Sequence, residues 1–109
     1  MATKKVHVFE NDGEYRVHPP AVTLDGSGGN TDDLDIVNHT GEEIIFYFGP
    51  GLFASTATFD TIAKNGGNKK TNKAKSQGSL GKVAAYKIFG VESGKKAKGN
   101  SDPVIIIEN

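Results

Sequence analysis

The 109-residue chain has no cysteine. That excludes disulfides, thiolate nucleophiles, cysteine-ligated zinc and thiolate-bound copper. It also has no apolar run long enough to cross a bilayer. "MATKK" at 1–5 is not followed by an apolar stretch, so no signal peptide is read. The expected location is the cytoplasm, unless a leader has been removed. No window sustains apolar residues at i, i+3, i+4 and i+7, so helices are not expected. Catalytic signatures are missing as well. "GSL" (78–80) and "GNSDP" (99–103) do not make the nucleophile-elbow pattern G-x-S-x-G. "GPGLF" (49–53) lacks the lysine and spacing of a phosphate-cradling loop, and "NGG" (65–67) reads as a turn. The chain is therefore expected not to be an enzyme.

What is present is alternation. Hydrophobic residues make up 36% of the chain and glycine occurs 14 times, which suits one small β-domain over residues 1–109. "VHVFE" (6–10) is a first strand, and Asp12-Gly13 suits a turn with positive φ. "EYRVHPPAVTLD" (14–25) is extended, with Pro19-Pro20 forcing a break or an edge position. "DLDIVNH" (33–39) places Leu34 and Ile36 inward and Asp33 and Asp35 outward. "EIIFYF" (43–48) is apolar on both faces, as a central strand would be. "TATFDTIA" (56–63), "KVAAYKIF" (82–89) and "PVIIIE" (103–108) complete about seven strands. Residues 64–79 lack apolar periodicity and read as a loop. The expected core is Val6, Val8, Val22, Leu24, Leu34, Ile36, Ile44, Phe46, Phe48, Tyr86, Ile88, Val104 and Ile106. The expected fold is an all-β, two-sheet sandwich.

Pro20 with Val22-Thr23-Leu24, the strand end Val37-Asn38, and Tyr86-Lys87-Ile88 occur in an order that resembles the cupredoxin family of plastocyanin- and azurin-like proteins. The resemblance covers most of the chain and implies a Greek-key β-sandwich. It also implies a mononuclear copper held by two histidines, a cysteine and a weak axial methionine. Here the pattern departs. The first histidine should follow Val37-Asn38 by a few residues, but His39 comes too early and Glu42 and Glu43 stand later. The cysteine should fall near Gly90, and the second histidine in "VESGKKAKGN" (91–100), which has none. The only methionine is Met1. The resemblance thus implies a scaffold without the family's electron transfer, and no cofactor is expected.

The charge is zero overall but uneven: residues 1–60 are near −7 and residues 61–109 near +7. Lys64, Lys69, Lys70, Lys73 and Lys75 fall within one expected loop, and Lys95, Lys96 and Lys98 within another. If the two loops reach one end of the sandwich, eight ammonium groups would gather and attract a polyanion such as nucleic acid or an anionic surface. Against this, the segment offers no aromatic ring for stacking and no arginine for bidentate phosphate contacts. His7, His18 and His39 have no ligand spacing, so no metal site is read. Asp33 and Asp35 share a strand face and read as solvated, while adjacent Glu42 and Glu43 point apart within a strand. The leading expectation is a metal-free binding or assembly module for an unknown macromolecular partner. Polyanion binding is the alternative, and the sequence leaves the oligomeric state open.

Overall fold

The computed structural model describes residues 2–26, 31–48, 51–53, 59–74, 82–97 and 103–108, and over 68–73 only the backbone. Ten strands form among the described residues, with no helix. They are β1 (Thr3–Asn11), β2 (Glu14–His18), β3 (Ala21–Asp25), β4 (Asp33–Asn38), β5 (Ile44–Tyr47), β6 (Phe59–Ile62), β7 (Gly67–Lys73), β8 (Lys82–Ala85), β9 (Lys87–Gly90) and β10 (Val104–Glu108).

The hairpin from β1 to β2 turns on Asp12 and Gly13, at φ 56° and 78°. Both central residues of a type I′ turn need that left-handed conformation, which Asp-Gly supplies at low cost. β1 pairs antiparallel with β2 and parallel with β4, and β4 pairs antiparallel with β7. This gives a four-stranded sheet in the order β2-β1-β4-β7. A second sheet has the order β3-β10-β8 and a third the order β6-β5-β9. β8 and β9 follow one another with only Tyr86 between them, so one stretch of chain joins the second and third sheets. Pro19-Pro20 carries the chain from β2 in the first sheet to β3 in the second. Neither proline has an N–H to give a ladder, so the break falls where pairing must end anyway.

The sandwich-like core follows from period-two alternation. Val6, Val8, Val17, Leu34 and Ile36 of the first sheet are buried, as are Val22, Leu24, Ile105 and Ile107 of the second and Ile44, Phe46, Ile62 and Ile88 of the third. Phe46, Phe48, Phe53 and Tyr86 form an aromatic cluster with centroid separations of 4.8 to 6.3 Å. Three of its four ring pairs meet edge to face, the arrangement the ring quadrupoles favour. Burial pushes the Tyr86 phenol well above its ordinary pKa.

Four expectations need correction. The segment read as a loop from 64 to 79 contains β7, an edge strand whose ladder to β4 needs no apolar face. Lysines on an edge also discourage pairing with another chain. In β10 the buried residues are Ile105 and Ile107, whereas Val104 and Ile106 are only half-buried. With four apolar residues in a row, alternation cannot set the phase. Asp35 is buried at 1% exposure instead of solvated. It lies on an interior strand, opposite Lys5 of β1. Finally, ten short strands replace the seven expected, mainly because 82–89 divides at Tyr86 and 14–25 at the proline pair.

Candidate functional site

The most elaborate polar arrangement stands at the end of the sandwich where β4 meets β5. Asn38, fully buried, ends β4. Its Nδ2 donates to the carbonyls of Glu42, Ile62 and Ala63 at 2.8, 3.2 and 3.1 Å. Its Oδ1 accepts from the Thr40 N–H at 2.9 Å and the Thr40 hydroxyl at 2.7 Å. The backbone of the next turn joins the same knot: Gly66 N–H donates to the Asn38 carbonyl at 2.7 Å, and Asn65 N–H to that of Thr40 at 3.0 Å. One amide side chain thus ties residues 38–42 to the end of β6. Asn38 can do so because its short side chain carries both donors and acceptors.

This knot aims Glu42 inward. Its carboxylate accepts a hydrogen bond from the Tyr15 hydroxyl on β2. It also accepts the N–H groups of Glu92 and Ser93, at 2.8 and 2.9 Å, in the turn after β9. Two elements distant in sequence therefore converge on one acid. The Tyr15 bond, followed by the Ser93 bonds, holds the Glu42 carboxyl down at about 2, against an ordinary 4.5. The Tyr15 phenol moves the other way, raised by burial and then by its bond to the glutamate. Gly90 makes room for the carboxylate: a Cβ there would lie 2.5 Å from Glu42 Oε1. Outside, Lys95 Nζ sits 5.3 Å from the Tyr15 ring centre and 3.6 Å from Glu10 Oε2. A shallow pocket beside it is lined by Gly13, Glu14, Tyr15, Lys95 and Lys96.

Chemically, this is a clamp. An acid with a pKa of about 2 stays ionised near neutrality and cannot donate or relay a proton there. Three donors occupy most of the roughly four acceptor sites of its two oxygens. Glu43, the neighbour in sequence, is exposed, so the two acids point apart, although both precede β5 and neither lies in a strand.

Of the eight lysines in the polyanion reading, six lie among the described residues. Lys64 lies in the turn after β6 and lines an open pocket with Glu43, Val91 and Glu92. Lys69, Lys70 and Lys73 belong to β7, which runs from Asn38 to Asp33 along β4. At about 3.3 Å per residue, Lys69 and Lys73 stand roughly 13 Å apart along that edge. Lys95 is exposed and Lys96 half-buried, the latter bridging to Phe89 through its backbone. Lys75 and Lys98 lie outside the described residues.

The histidines are closer together than their spacing suggested. His7 faces outward on β1, between inward Val6 and Val8. His18 of β2 is its register partner. His39, just past β4, extends that ladder by donating its N–H to the Val8 carbonyl at 2.8 Å. His7 Nδ1 and His39 Nε2 lie 2.8 Å apart. Among the described residues no three histidine, aspartate or glutamate side chains converge as a metal-ligand group.

Sequence reasoning missed Tyr15, Asn38 and Thr40 as members of one site. The alternation of "EYRVH" did carry the signal that Tyr15 points inward with Val17. Compared with models of protein families and with curated proteins, the chain matches none.

Proposed function

We propose that this chain is a non-enzymatic binding or assembly module on a cupredoxin-like, Greek-key sandwich. In this reading a carboxylate clamp replaces the family's copper end. The observation that carries it is the set of positions meeting at Glu42. The resemblance expects ligands a few residues after Asn38, near Gly90 and in the following loop. Glu42 and the N–H groups of Glu92 and Ser93 that it binds stand in those places, and Gly90 leaves room for the carboxylate. An ionised acid held by three donors supports a structural role for that end.

Binding is supported by Tyr47 and Phe59, exposed by 52% and 53%. They face one another across β5 and β6, and β6 is an edge strand. An exposed aromatic pair on an edge offers apolar area with little rotamer entropy to lose, which suits a protein partner.

Cupric loading tests the first half: an intense blue absorption would overturn it. The second half is tested with a photo-crosslinking residue placed at Phe59 or at exposed Thr23, in extract of the source cells. A discrete protein conjugate at Phe59 alone is the expected result. Equal labelling at both positions, or none, would remove the aromatic edge from the proposal.

Polyanion capture through the lysines is the second reading, favoured by the edge strand that carries Lys69, Lys70 and Lys73. Heparin titration at low and high salt tests it, and absence of binding at low salt ends it.

A further inference from the structure

The outer face of the first sheet holds three histidines in a row. His18 is on β2, His7 on β1, and His39 just beyond β4. Two of them touch. His7 Nδ1 and His39 Nε2 are 2.8 Å apart, and the ring centroids 5.0 Å apart. That centroid distance is close to the nitrogen gap plus the two ring radii. The rings therefore meet edge to edge, nitrogen towards nitrogen. One nitrogen carries the proton and the other accepts it.

Facing imidazole nitrogens held by a sheet make a half-built chelate. With bonds of about 2.0–2.1 Å, two nitrogens on one zinc ion lie roughly 3.3 Å apart at the tetrahedral angle. The pair must open by about half an ångström, and each ring must turn by roughly 35° for both lone pairs to meet one ion at the tetrahedral angle. The shared proton need not leave the protein, because each neutral ring can hold its proton on the far nitrogen. The backbone positions are fixed: His7 lies within β1, which pairs on both sides, and the His39 N–H is tied to Val8. His39 is exposed, so an ion can arrive from solvent.

We infer that His7 and His39 form a two-imidazole site for a borderline divalent ion, Cu²⁺ or Zn²⁺, with water completing the coordination. Nitrogen donors without a carboxylate select such ions over Mg²⁺ and Ca²⁺, and the usual order of affinities puts Cu²⁺ first. The site lies on the outer sheet face and is separate from the Glu42 clamp. Sequence spacing could not show it, because its ligands are 32 residues apart and meet only through the parallel pairing of β1 with β4.

Titration calorimetry with Cu²⁺ and Zn²⁺ in a non-chelating buffer tests the site, with Ca²⁺ as the control. H7A and H39A should each weaken binding by ~10-fold or more, a cost of the size seen when metal-site residues are removed. H18A should leave it nearly unchanged. Electron paramagnetic resonance of the Cu²⁺ form should show coupling to two nitrogens, lost in H7A and H39A. Binding that survives either of those substitutions, or that all three weaken equally, would overturn the inference. These side chains are exposed or half-buried, and unchanged circular dichroism would confirm that the variants fold.

Discussion

The Glu42 clamp and the His7–His39 pair treat hydrogen-bonding capacity in opposite ways. Glu42 is buried and takes three donors from two elements remote in sequence, β2 and the turn after β9. The histidines lie on an outer face and meet each other across a single contact. In the first case most polar valence is used internally, so it builds structure. In the second, a lone pair is freed whenever a proton shifts, so a ligand can enter. Polar clusters of similar size therefore differ in kind: near-saturation marks a fastening, and spare capacity marks a place for chemistry.

The sharpest way to break that contrast is at Asn38. Asn38→Ala would remove the side-chain partner of the Thr40 N–H and of the Ile62 and Ala63 carbonyls, while the Glu42 carbonyl keeps the Thr40 hydroxyl. Each unsatisfied buried group costs about 1–3 kcal/mol, so urea unfolding should show a loss of roughly 3 kcal/mol or more. Loss below about 1 kcal/mol would mean that the knot is not a fastening. Gly90→Ala should come next, near 2 kcal/mol, because its Cβ would collide with the Glu42 carboxylate. Thermal melts would measure it, and adding Glu42→Gln should not restore the loss, since the amide has the same shape.

Acid sensitivity gives a signed prediction. The Glu42 carboxyl is depressed from 4.5 to about 2. The folded state thus binds fewer protons than the unfolded chain over that range. Its contribution is complete above about pH 4.5 and fades as pH falls towards 2. Wild-type melting temperature should drop across that window more steeply than that of Glu42→Gln. Parallel curves would show that the carboxylate is not the source. His7→Ala should change stability by less than about 0.5 kcal/mol, as exposed substitutions do, in contrast to its effect on metal binding. Lys95→Ala should have an effect of similar size. Its exposed pair with Glu10 at 3.6 Å should contribute about 0.2–1 kcal/mol, a difference that 1 M salt should erase.

Much of the frame was legible from local patterning. Val6, Val8, Leu34 and Ile36 alternate with mostly polar neighbours and are buried accordingly. Asp12-Gly13 and Asn65-Gly66 turn the chain as their left-handed preference demands. What stayed hidden depended on partners far along the chain. The polar run that became β7 acquires strand geometry from the β4 ladder and not from its own side chains. The phase of Val104–Ile107 is decided by which face of β10 meets the core. Tyr15 meets Glu42 across 27 residues, and Glu42 meets the Ser93 N–H across 51. A single acid with three remote donors leaves no periodic trace, so the candidate site was almost wholly unreadable before the fold was seen.

The order β3-β10-β8 has a temporal implication. Among the described residues, β10 is the only hydrogen-bonded neighbour of both β3 and β8. While the polypeptide is being made, residues 21–25 must wait for residues 104–108 to leave the ribosome before their ladder can close. The first sheet faces no such delay for β1, β2 and β4, all complete by residue 38. A nascent chain stalled before β10 would therefore carry one sheet able to form and another without its central plank.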